Sequence, residues 1–300
     1  MASHTEPTKL LGISLCAGYA GLDLGISIAE PQYRTVCYVE REAHAAATLV
    51  ARMEDEALDQ APIWDDLKSF DGRAWRDRVH ILSAGYPCQP FSVSGKRRAE
   101  DDPRHLWPEV ARIIDEVRPS IVFAENVEGH IDLGFAEVAT CLQDLGFDTK
   151  AGLFTAREVG ARHRRRRLFI MADADRHRCR VLPRTADRFG KGITEEPVGH
   201  RSVELGPVLA GERSADLDLA LAPTSGSGGK AERPLPLFAP GPGELEAWED
   251  LLRKRPDLQP ALLRAHVRMA DRLDRTRGVG NGVSSLAAAY AWRTLRAAFM

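Results

Sequence analysis

Apolar and polar positions alternate in blocks along the chain. Lys9 to Cys16 is an almost unbroken apolar run closed by Ala17-Gly18-Tyr19-Ala20-Gly21, which predicts a buried strand ending in a tight turn. Leu22 to Glu30 carries helical spacing. Tyr33 to Val39, closed by Glu40, reads as a second strand, and Ala43 to Met53 as an Ala-rich helix. Val79 to Ala84 is strand-like and ends at Gly85. Leu106 to Val117 is amphipathic with helical spacing. Ser120 to Ala124 predicts a short strand ending at Glu125-Asn126-Val127. Phe135 to Leu145 is helical, and Leu168 to Met171 predicts one more buried strand. Strands alternating with helices predict an α/β fold built of βαβ units, with a mostly parallel sheet flanked by helices. Ligands of such sheets bind beyond the carboxyl ends of the strands. Gly18, Glu40, Cys88 and Glu125 all fall at those ends.

The pattern changes after about residue 172. Asp173 to Arg201 is rich in Arg and Asp with little periodicity, and Ala222 to Pro242 is rich in Pro, Gly and Ser, as a loop or linker is. Glu244 to Leu252 and Leu258 to Met269 look helical, and Ser284 to Met300 returns to a clear apolar helix. The expected organisation is therefore one domain over residues 1–172 plus 278–300, with a small, partly loop-rich region over 173–277 between its two parts.

Composition narrows the class. The 300 residues are 44% hydrophobic and 28% charged, which is globular and not disordered. No apolar stretch reaches membrane-spanning length, and Met1 to Lys9 has no apolar signal segment, so a cytoplasmic protein without membrane association is expected. Five dispersed cysteines without CxxC spacing argue against a disulfide framework or a zinc site, and no metal is expected. The net charge of −2 gives no global attraction to nucleic acid. Lys96-Arg97-Arg98 and Arg162 with Arg164 to Arg167 give two local basic clusters, read equally as a phosphate-binding surface or a solvated face.

Five constellations could carry chemistry. Gly18 and Gly21 allow a sharp turn and a close ligand approach, and Glu40 is placed to accept from ribose hydroxyls, although such turns are common. Cys88 lies between Pro87 and Pro90 in Gly85-Tyr86-Pro87-Cys88-Gln89-Pro90-Phe91-Ser92, where stiff loop geometry favours an exposed nucleophile over a core thiol. Glu125, just past an apolar strand, suits proton sharing with a ring nitrogen and equally a helix-terminal role. In His163-Arg164-Arg165-Arg166-Arg167, an extended backbone would point Arg165 and Arg167 the same way. Gly280-Asn281-Gly282-Val283 reads as a turn before the last helix.

Taken in order, these five resemble the motif series of the cytosine-C5 DNA methyltransferases. The resemblance covers roughly residues 9–172 and 278–300. It implies a Rossmann-like S-adenosylmethionine-dependent methyltransferase fold, with target recognition in the small irregular region. It implies methyl transfer to C5 of a cytosine flipped out of DNA, with duplex DNA as substrate. In this scheme Cys88 adds to C6, Glu125 serves N3, and Arg165 holds the O2 carbonyl with Arg167 beside it. S-adenosylmethionine is the implied cofactor. Gly18 and Gly21 would lie near its amino-acid part, with Cys16 and Ala17 in the same loop. Glu40 would take the ribose hydroxyls and Asp66 the adenine amino group. Leu67 and Pro87 would line the site, and Asn281 and Val283 would close it. A monomer is expected, within a restriction-modification setting that admits a cognate endonuclease as partner.

Three departures from the family pattern stand out. Cys16 replaces a phenylalanine that stacks on adenine. Arg41 follows the ribose carboxylate where an aromatic is common, and losing both faces costs about 1 kcal/mol of cofactor affinity. His163 replaces a glutamine. Other readings remain at this point: an RNA cytosine methyltransferase, a catalytically dead DNA-binding relative, and a nucleotide-binding oxidoreductase. The last leaves the Pro-Cys-Gln loop and the Arg run unexplained.

Overall fold

The computed structural model describes residues 9–87, 106–161, 163–174, 244–255 and 282–300. In chain order the elements are β1 (Leu10–Leu15), α1 (Gly21–Ala29), β2 (Tyr33–Val39), α2 (Ala43–Glu54), β3 (Ile63–Trp64) and a 3-10 turn (Gly72–Trp75). There follow β4 (Ile81–Ala84), α3 (Trp107–Val117), β5 (Ile121–Val127), α4 (His130–Leu133), α5 (Phe135–Asp144), β6 (Phe147–Thr155) and β7 (Arg166–Ala174). The helices α6 (Leu245–Lys254) and α7 (Ser285–Ala297) complete the described set.

The seven strands form one sheet in the order β3-β2-β1-β4-β5-β7-β6. β3, β2, β1, β4 and β5 run parallel, and β7 runs antiparallel between β5 and β6. The chain begins in the middle, winds outward through β2 and β3, then crosses back to β4. The switch point is the crevice between the ends of β1 and β4, where an open α/β sheet places its ligand.

Both faces of the sheet are covered, which is why its central strands are apolar at consecutive positions. Val122 and Ala124 of β5 join a core with Val110, Ile113, Ile114 and Val117 of α3 and Val138 and Leu142 of α5. Ile121 and Phe123 face the other way, onto Ile26 of α1 and Ala288, Trp292 and Leu295 of α7. α1 and α7 approach very closely. A Cβ on Gly25 would lie 2.5 Å from Ala288 Cβ and 2.8 Å from the Ser285 carbonyl. The last helix therefore packs on the first domain, as its apolar pattern predicts.

One polar cluster pins this arrangement. Asp23, in the first turn of α1, is fully enclosed and accepts from Ser14 Oγ (2.6 Å), Tyr33 Oη (2.9 Å) and Ser83 Oγ (2.8 Å). These donors come from β1, β2 and β4, so one carboxyl ties three strands to the helix that follows the turn after β1. Burial raises its pKa, against the pull of the three hydroxyls.

Four elements have no counterpart in the sequence pattern: β3, the 3-10 turn, α4 and β6. β3 is only two residues long, and β6 (Phe-Asp-Thr-Lys-Ala-Gly-Leu-Phe-Thr) is an edge strand whose Asp148, Lys150 and Gly152 alternate with Phe147, Ala151 and Leu153 and lie on the opposite face. β7 extends through Ala174, and Asp173 forms an ion pair with Arg296 of α7. Of residues 175–277, only 244–255 are described, and they form α6. The Leu258 to Met269 segment, Cys88, Asn281, Lys96-Arg97-Arg98 and Arg162 lie outside the described residues.

Candidate active site

The turn after β1 is built from left-handed backbone. Cys16, Gly18 and Ala20 have φ of 51°, 55° and 56°. At Gly18 a Cβ would meet nothing within 4 Å, so the turn opens onto free space. Glu40, at the end of β2 and 9% exposed, reaches under this turn. Its Oε2 accepts from the Gly18 N–H (2.6 Å) and its Oε1 from the Glu42 N–H (2.7 Å). Each carboxylate oxygen has two lone-pair sites, so acceptor capacity remains for hydroxyl donors. The Ala17 N–H donates to the Val39 carbonyl (3.1 Å), which ties the turn to β2.

Cys16 faces the core side of this turn. Burial, and then the Glu40 charge, push its thiol up to about 12, so it stays protonated and unreactive. Asp66 lies two residues past β3. Its Oδ1 accepts from the Lys68 N–H (3.0 Å), and its carbonyl accepts from Ser69 and Phe70, giving a local turn at the edge of the sheet. Leu67 is buried in the α3-side core.

The end of β4 lies against the β1 turn. The Gly85 N–H donates to the Leu15 carbonyl (3.2 Å), and a Cβ on Gly85 would sit 3.3 Å from the Cys16 carbonyl. The chain then passes through Tyr86 and Pro87. Asn126 Nδ2 donates to the Tyr86 carbonyl (3.2 Å), so this stem is tied to β5.

Glu125 lies near the end of β5, 7% exposed. Arg167 Nε forms an ion pair with its Oε1 at 2.9 Å. Burial raises the Glu125 pKa to about 7, with Arg167 and then Arg165 pulling it down. The carboxyl is therefore poised to hold or yield a proton near neutrality, a state matched to acid–base work.

The two arginines make different contacts, although both charges act on Glu125. Arg165 precedes β7 with φ of 28°, so the extended spacing that would pair it with Arg167 begins one residue too late. Arg165 Nη2 donates to the Gly282 carbonyl, while Arg167 faces Glu125. Arg166 pairs with Glu128 at 2.5 Å. Val283 in turn closes on the β1 turn: a Cβ on Gly21 would lie 2.6 Å from the Val283 carbonyl. The segment around Gly282 and Val283 thus bridges the glycine turn and the arginine segment.

Along one edge of the sheet the structure brings together Cys16, Ala17, Gly18, Gly21, Glu40, Pro87, Glu125, Arg165, Arg167 and Val283. Glu40 and Glu125 stand three strand spacings apart, about 14 Å. That is room for two ligands side by side. Sequence reasoning missed Asp23, whose role depends on hydroxyls from three separate strands and leaves no local signal. Among the described residues no group of three His, Cys, Asp or Glu side chains could hold a metal ion, and no helix is long and apolar enough to cross a membrane.

A family model for C-5 cytosine-specific DNA methylase matches residues 10–198. The chain is 31% identical over 168 residues to the Type II methyltransferase M.NgoMIV of Neisseria gonorrhoeae, a match covering 55% of this chain and 52% of that protein. It is 35% identical over 148 residues to the Type II methyltransferase M.PspPI of Psychrobacter sp. (strain TA137), covering 47% and 34%. It is 34% identical over 174 residues to the Type II methyltransferase M1.ScrFI of Lactococcus lactis subsp. cremoris, covering 56% and 42%. The chain spans about half the length of these relatives, or less. The family model covers more than half of the chain, along the strands that carry the candidate site, and on that ground the chain belongs to the C-5 cytosine-specific DNA methylase family.

Proposed function

We propose that the chain transfers a methyl group from S-adenosylmethionine to C5 of a cytosine in DNA. The observation that carries this reading is Glu125: a nearly buried carboxyl with a pKa of about 7, facing an arginine, one strand over from the stem that leads to Cys88.

Residues on the β1 and β2 side fit the cofactor. The Gly18 turn opens onto free space, and Glu40 is fixed by two backbone N–H groups with lone pairs to spare for ribose hydroxyls. Asp66, with Leu67, is assigned to the adenine end, and Cys16, Ala17, Gly21, Pro87, Asn281 and Val283 to the surrounding wall. When bound, the cofactor supplies an electrophilic methyl carbon on a sulfonium.

The chain's own residues then activate the base. Cytosine C5 is a weak nucleophile, and its C6 is hidden in a duplex, so the base must first leave the stack. The Cys88 thiolate forms a bond to C6, and the displaced electron pair makes C5 enamine-like. Protonated Glu125 gives a hydrogen bond or its proton to N3, which draws charge from C6. Arg167, which faces Glu125, is the better placed of the two arginines for the O2 carbonyl. Arg165 supports the wall through Gly282. Loss of the C5 proton after methylation breaks the C6–sulfur bond and frees Cys88.

Residues 175–277, past the end of β7, are assigned to target recognition, and a monomer working with a cognate restriction endonuclease is the proposed setting. The test is transfer of labelled methyl groups to duplex DNA and, in parallel, to tRNA. Transfer to DNA that is lost in Cys88→Ser supports the reading. Transfer to tRNA alone, or transfer that survives the substitution, overturns it.

A further inference from the structure

Tyr86 is held from three directions at the point where the chain leaves β4. Its hydroxyl lies 2.9 Å from His130 Nε2, its carbonyl accepts from Asn126 Nδ2 (3.2 Å), and its ring packs on Trp107 at a centroid distance of 5.1 Å. His130 opens the short helix α4, five residues beyond Glu125, and its ring also meets Tyr86 edge-on at 5.5 Å. Tyr86 and His130 are 2% and 1% exposed.

This pair is costly as a packing device. Among the described residues His130 Nδ1 is buried without a hydrogen-bond partner, and an unpaired buried polar atom lowers stability. A phenylalanine and a leucine would fill similar space without that cost. What the polar pair adds is direction: one bond of fixed geometry between the stem before Cys88 and the turn after Glu125. Burial holds the His130 pKa down at about 4, so the ring is neutral near pH 7.

We propose that Tyr86 and His130 are positioning residues that set the stem at Pro87 relative to Glu125, so that the nucleophile and the proton donor address the same base. The proposal rests on the methyl-transfer reading above and deepens it. Catalysis that needs two groups on one ring is sensitive to small displacements, and an error of about 1 Å can lower the rate about a hundredfold.

The experiment compares wild type with Tyr86→Phe, His130→Leu, His130→Gln and the Tyr86→Phe/His130→Leu double variant, in the full chain. Readouts are kcat and KM for labelled methyl transfer to duplex DNA, S-adenosylmethionine Kd by calorimetry, and unfolding temperature. The expected result is a kcat lowered about ten- to a hundredfold in Tyr86→Phe and in His130→Leu, with cofactor Kd and DNA KM within about twofold. The double variant should be no slower than the worse single variant, because both remove one bond. His130→Gln, which keeps a polar atom at similar reach, should recover most of the rate. Normal kcat in Tyr86→Phe, additive losses in the double variant, or losses that only follow unfolding temperature overturn the proposal. Active wild type beside unaffected variants sinks the positioning role alone. Wild type that methylates no DNA sinks the underlying reading, and the positioning role with it.

Discussion

At the scale of single residues, the candidate site holds a carboxyl whose charge is set by opposing causes. Burial raises Glu125 to about 7, and Arg167 and Arg165 oppose it. If the protonated form serves N3, kcat/KM for methyl transfer should fall as pH rises through about 7. Replacing Arg167 with Gln removes the main opposing charge, so the same limb should move to higher pH while the rate falls. A pH–rate profile of both proteins checks the sign, and a limb that moves to lower pH contradicts it. Asp23 carries the fold in a comparable way. Asp23→Ala would leave Ser14, Tyr33 and Ser83 without their common acceptor. Unfolding in urea should show a loss of about 2–4 kcal/mol, with Asp23→Asn milder.

At the scale of elements, two glycines mark where secondary structure comes too close for a side chain. Gly25 lets α1 lie on α7, and Gly21 lets the β1 turn lie on Val283. Gly25→Ala should destabilise by about 1–3 kcal/mol, because the atoms in its way include the Ser285 carbonyl. Gly21→Ala should add weakened cofactor binding, read by calorimetry, because the turn near Gly18 must move with it. An unchanged unfolding curve for Gly25→Ala would mean that the helices separate freely. Elements with a continuous apolar run or a clear helical period were legible in the chain: Tyr33–Val39 is a strand in pattern and in structure, and α3 shifts by one residue at its start. β3 and β6 were not. β3 has two residues, too few for any period, and β6 is an edge strand whose charged positions and glycine imitate a loop. The roles of Arg165 and Arg167 were only half legible. Residue spacing pairs them if the backbone is extended, but the left-handed conformation at Arg165 turns one toward Gly282.

At the scale of the whole molecule, the last helix packs on α1 and the sheet. Trp292 is buried against Phe123, its ring at 5.2 Å and 84° to it, and its Nε1 donates to Glu30 (3.1 Å). Trp292→Ala should cost about 3–5 kcal/mol in urea unfolding, as deletion of a large core side chain does. A loss under 1 kcal/mol, on the same scale, would show that α7 contributes little. This closure matters for function because the same C-terminal segment, through Gly282 and Val283, touches both the arginine segment and the glycine turn. The two halves of the candidate site are thus joined by chain that returns from beyond residue 277.

The most direct test of the central claim is bisulfite sequencing of DNA from a methylation-free host that expresses the chain. The account predicts protected cytosines in a recurring sequence context with the wild type and none with Cys88→Ser. Protected cytosines that persist in Cys88→Ser would contradict it.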